Sequence, residues 1–477
     1  MKRNTLRTNA LLLGIGALLL VLTQARCAVA ILAWISPIPF LIYLKTTTGW
    51  RSRLAFMGVM CLSFTLAAAK FVGAPLPAVM SLFNGVVFGL YYASAYLVWS
   101  AIARPRPRPW IANLGFAAIM IVFEWLLHRL LGIDGNTAIG YSQLDNLPYL
   151  QLASLLGLAG LSFFIYWFAA VAAESLQARR VNRNETAALV GLIATIHIFG
   201  AYRIGLETPT PTVRAAAVAT DWSWWPSDPL PTDTEQRRIL DALFDRSERA
   251  AAAGAEVVVW PEVAAWVAPS AEAGIITRGK ALAKARRIHL VLSYLVPKEP
   301  SPLLVENKYV WIERSGATHE YLKHKPLPFE PSIPGDGAPQ VVRTRFGKAS
   351  GAICYDADFP HVVRRHAEAG ISLLVLPSAD TRGVSPFHTR LAAVRAIEGG
   401  YSIVRATRHG LSAGIGPEGR IRGWLSANES KDDILVVTLP ARHIPTLYSL
   451  IGDLPVWLAC LGVLALFGAG ALRIIRR

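Results

Sequence analysis

Runs of apolar residues about as long as a membrane-crossing helix fill the first two hundred positions of this chain and return at its C-terminal end. In a bilayer core every backbone polar group must find its partner within the protein, so such runs leave the helix as their one open-chain solution. About eight segments can be delimited, at 8–25, 27–45, 54–72, 78–102, 111–131, 152–176, 186–204 and 449–473. The chain is 53% hydrophobic and 17% charged, whereas soluble domains carry about a quarter charged residues. The deficit sits in these segments, and the middle of the chain has the make-up of a soluble domain. The expected organisation is a membrane α-helical bundle over residues 1–205, a soluble α/β domain over 206–445 and a closing membrane helix over 446–477.

The net charge of +16 invites a nucleic-acid reading, and its distribution excludes one. The basic residues gather in short blocks between apolar runs: Lys45, Arg51 and Arg53; Arg104, Arg106 and Arg108; Arg179, Arg180 and Arg183. Positive charge is retained on the cytoplasmic side of membrane proteins. The N-terminal Lys2, Arg3 and Arg7 and the C-terminal Arg473, Arg476 and Arg477 also fall on that side. Both termini are therefore expected in the cytoplasm, and the soluble domain outside it. The small residues after Arg26 also fit a cleaved leader, which would leave the downstream orientation unchanged.

Within the middle region, β-branched runs alternate with amphipathic stretches, the pattern of a layered α/β fold. Strands are expected at Val213–Thr220, Glu256–Trp260, Ile288–Val296, Lys308–Glu313, Gly351–Cys354, Ile371–Pro377, Tyr401–Ala406 and Asp433–Leu439, and helices at Thr232–Ala253 and Pro386–Glu398. Three strand ends carry reactive groups. One run stops at Trp260-Pro261-Glu262, a second leads into Tyr321-Leu322-Lys323-His324-Lys325, and a third ends at Ile353-Cys354-Tyr355-Asp356. Cys354 is the one cysteine of this domain; Cys27, Cys61 and Cys460 lie in or beside apolar segments. Its thiol is mostly protonated at neutral pH and needs a base or a cation nearby to act as a nucleophile. Glu262 can take the proton, and a lysine ammonium can steady the thiolate and the oxyanion of a tetrahedral intermediate. Taken singly, a turn carboxylate, a loop lysine and a buried cysteine are ordinary structural residues. Their joint occurrence at strand ends is what points to chemistry. No Gly-x-Ser-x-Gly elbow is present, and the histidines show no paired metal-ligand spacing, so neither a serine mechanism, a metal nor a cofactor is expected.

These motifs resemble the nitrilase superfamily, whose members use a glutamate-lysine-cysteine triad in an αββα sandwich. The resemblance assigns the triad to Glu262, Lys323 (rather than Lys325) and Cys354, and adds Glu330, Tyr355 and Asp356 as supporting or substrate-binding positions. A nitrilase domain inserted between the last two of eight spans resembles, more narrowly, the bacterial apolipoprotein N-acyltransferases. Gly140–Gln143, Gly157–Phe163, Arg390–Thr407 and a hairpin at Gly410–Gly419 extend the similarity over nearly the whole chain. That resemblance implies an inner-membrane enzyme with an extracytoplasmic catalytic domain. Cys354 takes an acyl chain from a phospholipid as a thioester and passes it to the amino group of a diacylglyceryl-cysteine apolipoprotein.

Three departures bear on this. Glu330 directly follows Phe329, one place early, with Pro331 in the family's glutamate position. Asp356 is a methylene shorter than the family's glutamate. The stretch Ser378-Ala379-Asp380-Thr381-Arg382-Gly383 lacks the family's asparagine and aromatics. They leave open an amidase, or an acyltransferase for another amine, and a catalytically silent lipid- or protein-binding chain as the third reading.

Overall fold

In the computed structural model of the chain, residues 2–475 are described except 73–76, 104–107, 134–135, 206–210, 221, 223, 225–227, 428 and 431–432. Arg104 and Arg106 of the second basic block, and the expected boundary at 206, lie outside the described residues. The chain divides into two compact units, Met1–Leu206 with Ile451–Arg477, and Glu207–Leu450.

The first unit is helical. Among the described residues five helices are long and apolar enough to cross a membrane: Leu6–Thr23, Val79–Ile102, Pro109–Arg129, Ala153–Ala178 and Arg183–Gly205; Ala30–Thr46 and Leu454–Gly468 are shorter apolar stretches. The second expected segment is not continuous. It breaks into Ala30–Ala33 and Ile38–Thr46, because Pro37 and Pro39 remove backbone donors and crowd the preceding turn. Glu124 is buried, and its Oε1 accepts from the Ile139 N–H at 2.9 Å and the Tyr166 hydroxyl at 2.8 Å. Gln143 donates to the Ala30 carbonyl at 2.8 Å. Glu124 and the Gly140–Gln143 loop thus bond to neighbouring helical segments.

Among the described residues the second unit holds twelve strands: β1 (Thr212–Val218), β2 (Val257–Val259), β3 (His289–Pro300), β4 (Leu303–Ile312), β5 (Thr318–Leu322), β6 (Val342–Thr344), β7 (Gly347–Gly351), β8 (Leu373–Ala379), β9 (Ser402–Arg408), β10 (Leu411–Ile415), β11 (Ile421–Ser426) and β12 (Ile434–Pro440). They form two six-stranded sheets, ordered β12-β1-β2-β3-β4-β5 and β11-β10-β9-β8-β7-β6. Four helices cover them: α1 (Asp233–Ala252), α2 (Pro269–Arg286), α3 (Pro360–Glu368) and α4 (Phe387–Gly399). Helix α1 starts in a capping box between Thr232 and Glu235, which satisfies free N–H groups of its first turn.

Strand alternation sends successive side chains to opposite faces. Ala216, Val258, Leu290 and Leu292 pack with Leu243, Phe244, Ile275 and Leu282 of α1 and α2. Leu374, Leu376 and Ile403 pack with Val363 of α3 and Ala392 and Ala396 of α4. The opposite faces, with Val213, Ala215, Val257, Val259 and Trp311 against Leu373, Val375, Val404 and Ala406, close on each other. The layers are helix, sheet, sheet, helix, the αββα sandwich that the sequence resemblance implies. The central strands are buried on both faces, which is why β1, β2 and β8 read as near-continuous apolar runs.

Candidate active site

Three chain segments leave the sheets in unusual backbone conformations at one place. Val263, next to Glu262, has φ 54°, Cys354 has φ 44° and His409, next to Arg408, has φ 55°. Left-handed backbone is disfavoured for residues with a Cβ, most of all for β-branched Val263, and tends to persist where surrounding structure holds a functional group in place. At Cys354 it turns the chain out of β7 into a short 3-10 turn, Cys354–Asp358, ahead of α3. The strand expected at Gly351–Cys354 therefore ends at Gly351, and the thiol projects from the turn beyond it.

Glu262 follows β2, and its backbone N–H donates to the Ser378 carbonyl of β8 in the other sheet at 3.2 Å. Lys323 follows β5, and its N–H continues the ladder to the Asn307 carbonyl of β4 at 2.9 Å. Glu262, Lys323 and Cys354 are 3%, 1% and 6% exposed. The Lys323 ammonium donates to Glu262 Oε1 at 2.8 Å and to Glu330 Oε2 at 2.6 Å. Asn307 Nδ2 bridges the same two carboxylates at 2.8 and 2.7 Å, and the Ser332 hydroxyl donates to Glu330. Glu330 thus joins the cluster although it comes one place early in sequence, because the turn Leu327–Glu330 folds its carboxylate back toward Lys323.

Burial disfavours a charge on Lys323, but the carboxylates of Glu262 and Glu330 outweigh it and hold the ammonium pKa well above its ordinary value. Burial likewise lifts Glu330, yet Lys323 prevails and its pKa is lowered. The Cys354 thiol is pushed far up by burial and by Glu262, against the pull of Lys323. In the free protein Cys354 is therefore a thiol whose proton must be removed during reaction. Both side-chain hydrogen bonds to Glu262 go to Oε1. Among the described residues Oε2 has no partner, so it is free to accept that proton.

Asp356 and Tyr355 serve differently. Asp356 is fully buried and accepts from the Tyr321 hydroxyl and from the backbone N–H groups of Ile353, His324 and Lys325. It ties the lysine loop to the cysteine turn and touches neither the thiol nor the ammonium. Tyr355 packs edge-to-face on Phe359, centroids 5.0 Å apart, in an apolar cluster with Val362.

A second polar network adjoins the thiol, and sequence reading did not find it. His388 of α4 is bridged between Asp380 (2.8 Å) and Asp358 (2.9 Å), and Arg405 of β9 donates to both oxygens of Asp380 at 3.0 and 2.8 Å. A ligand atom of each of Cys354, Asp380 and His388 falls within 4.8 Å of the others. These could offer a metal three ligands, but both His388 nitrogens and both Asp380 oxygens already bond within the protein. Burial opposes a charge on His388, but Asp358 and Asp380 outweigh it and push its pKa up to about 10.

A pKa raised on folding gives stability that is complete below the unfolded value of about 6.5 and is lost as pH rises toward 10. Replacing His388 with Gln is therefore expected to lower the thermal midpoint most at or below pH 6.5. The difference from the unmodified protein should shrink steadily up to pH 10. A constant difference across that range, in a series of melts, would rule out a charged His388.

The comparisons cover both units. Residues 214–446 match the carbon-nitrogen hydrolase family and residues 16–171 the apolipoprotein N-acyltransferase N-terminal domain. A protein of Bradyrhizobium diazoefficiens described as apolipoprotein N-acyltransferase is 30% identical over 441 residues, covering 84% of this chain and 79% of its own. One of Gloeobacter violaceus with the same description is 25% identical, covering 91% of this chain and 89% of its own. Among solved structures, an amidase from Nesterenkonia sp. aligns with 25% identity and a TM-score of 0.39 over 50% of this chain and 94% of that one. With 30% identity to the Bradyrhizobium protein over 84% of its length, the chain belongs to the apolipoprotein N-acyltransferase family.

Proposed function

We propose that the chain transfers an acyl group from a membrane phospholipid, through a thioester on Cys354, to the amino group of an S-diacylglyceryl-cysteine lipoprotein. The observation that carries this is the pairing of a buried thiol with a carboxylate whose Oε2 is free, next to an ammonium already fixed by two carboxylates. Family membership supports the lipoprotein acceptor.

In the first half-reaction Glu262 Oε2 takes the Sγ proton as the sulfur attacks the ester carbonyl carbon. Lysine ammonium has three hydrogens, and Lys323 commits two to Glu262 and Glu330. The third is available to the oxyanion, and preorganised donors of this kind contribute several kcal/mol to acyl transfer. Collapse of the intermediate breaks the ester C–O bond, and Glu262 returns its proton to the departing lysophospholipid alkoxide. In the second half-reaction the lipoprotein amine attacks the thioester, Glu262 takes a proton from that nitrogen, and the released thiolate recovers it. Glu330, Asn307 and Ser332 hold Lys323 and Glu262 in place. The proposal includes eight spans, with the shorter apolar stretches and the Trp50–Ala68 helix completing the five long helices, both termini cytoplasmic and the domain at 206–445 outside.

Expression in cells stripped of their own N-acylation tests this directly. Mass spectrometry of a lipoprotein N-terminus should find three acyl chains, and finding only two would reject the reading.

A further inference from the structure

Strand β9 brings a second cation to this site. Its side chains alternate: Ile403 packs toward α3 and α4, and Arg405 on the same face reaches Thr389 of α4 at 2.7 Å. Val404 and Ala406 point the other way, into the inter-sheet core that contains Cys354. Arg408 shares the face of Val404 and Ala406 by the same alternation, at the strand's last position. It pairs in register with Ala379, whose carbonyl oxygen accepts from the Cys354 thiol at 3.6 Å.

Arg408 is 5% exposed. Its Nε and Nη1 are buried with no hydrogen-bond partner among the described residues. Burial draws its pKa down to about 10, and the neighbouring carboxylates of Glu262, Asp228 and Glu330 partly restore it, so it is a cation at neutral pH. A buried guanidinium with unused donors is costly unless an oxygen ligand arrives to take them.

The reaction narrows what that ligand is. The ester carbonyl is neutral until attacked, and the Lys323 hydrogen already serves the transient oxyanion. An acceptor amine is neutral or positive. The one permanent anion that every phospholipid donor brings is its phosphodiester, and guanidinium matches phosphate oxygens in charge and geometry. We propose that Arg408 recognises the phosphodiester of the acyl donor, so that the site selects lipid esters carrying phosphate over uncharged esters. This rests on the acyltransfer reading above and adds to it the residue that chooses the donor class.

The full-length protein in detergent, with the variants R408Q and R408K, provides the test. Intact-protein mass spectrometry follows acylation of Cys354 from phosphatidylglycerol and from the p-nitrophenyl ester of the same fatty acid, which has no phosphate. Losing a charged hydrogen-bond donor should slow acylation from phosphatidylglycerol by roughly 10- to 100-fold in R408Q, with the p-nitrophenyl ester rate within about threefold of wild type. R408K keeps the charge and should lose less, again on phosphatidylglycerol alone. Should R408Q fail to fold, the selectivity of R408K decides. Equal loss on both donors, or no loss on phosphatidylglycerol, would overturn the assignment and leave the acyltransfer reading standing. Wild-type protein that gains no acyl mass from either donor would overturn both.

Discussion

With Ala in place of Cys354, the protein should gain no acyl mass from phospholipid, and lipoprotein acylation should fall by about four orders of magnitude or more, as when other enzymes lose their nucleophile. The fold gives this result a clean interpretation. Ala fits the space of Cys at a 6% exposed position, and both residues meet the same backbone penalty at φ 44°. The thermal midpoint should therefore move by only a few degrees, separating lost chemistry from lost structure. Cys27, Cys61 and Cys460 remain as internal controls. An acyl mass that survives the substitution and maps to one of them would end the thioester mechanism proposed here. Ser at the same position should be nearly as inactive. Its proton is held more tightly still, and the site that faces it has a carboxylate as base and no free imidazole.

Much of the scaffold is legible because local and global signals agree. The buried strands β1, β2 and β8 are near-continuous apolar runs, α1 announces its start with Thr232 and Glu235, and Glu262 and Lys323 stand just past strand ends. The misreadings have physical causes. Residues 27–45 look like one segment because hydropathy averages over Pro37 and Pro39, which the backbone cannot ignore. Cys354 reads as the end of a strand, since a positive φ on a residue other than glycine leaves no trace in composition. Strand β5 mixes polar and apolar residues on a sheet edge, where one face is enough to bury.

Parts of the site are harder to see in sequence for a different reason. Asn307 lies within β4, Asp380 follows β8, His388 lies in α4, and Arg405 and Arg408 lie in β9. Asn307 comes to the site from the opposite sheet, whereas Asp380, Arg405 and Arg408 come from β8 and β9 beside β7 and His388 from the helix that covers them, so only the tertiary fold brings them near the thiol. A faint sign existed: Arg405 interrupts the apolar run Ile403, Val404, Ala406, and a charge in a strand buried throughout needs a buried counter-charge. Asp380 is that counter-charge.

Lys323 is where catalysis and stability meet, and its replacement by Met should damage both. The ammonium lies 2.8 Å from Glu262 and 2.6 Å from Glu330; Lys323 and Glu262 are buried and Glu330 is partly buried. Without it the two carboxylates still share Asn307 but have lost the cation between them. Removing one partner of a buried ion pair costs about 3–5 kcal/mol, unless a proton takes its place. The pH dependence identifies which occurs. In the native protein Lys323 holds the Glu330 pKa below its ordinary 4.5, so this stabilisation is present above pH 4.5 and fades as pH falls below it. In Lys323→Met the carboxylate pKa rises instead. The deficit in thermal midpoint should be widest near pH 7 and should narrow as pH falls to 4.5 and below. Turnover should drop by at least 10²-fold, through loss of the oxyanion donor and of the hydrogen bond that positions Glu262. A variant equally destabilised at pH 4 and pH 7 would mean that Met fails through its shape. Charge would then not be what Lys323 contributes to the fold.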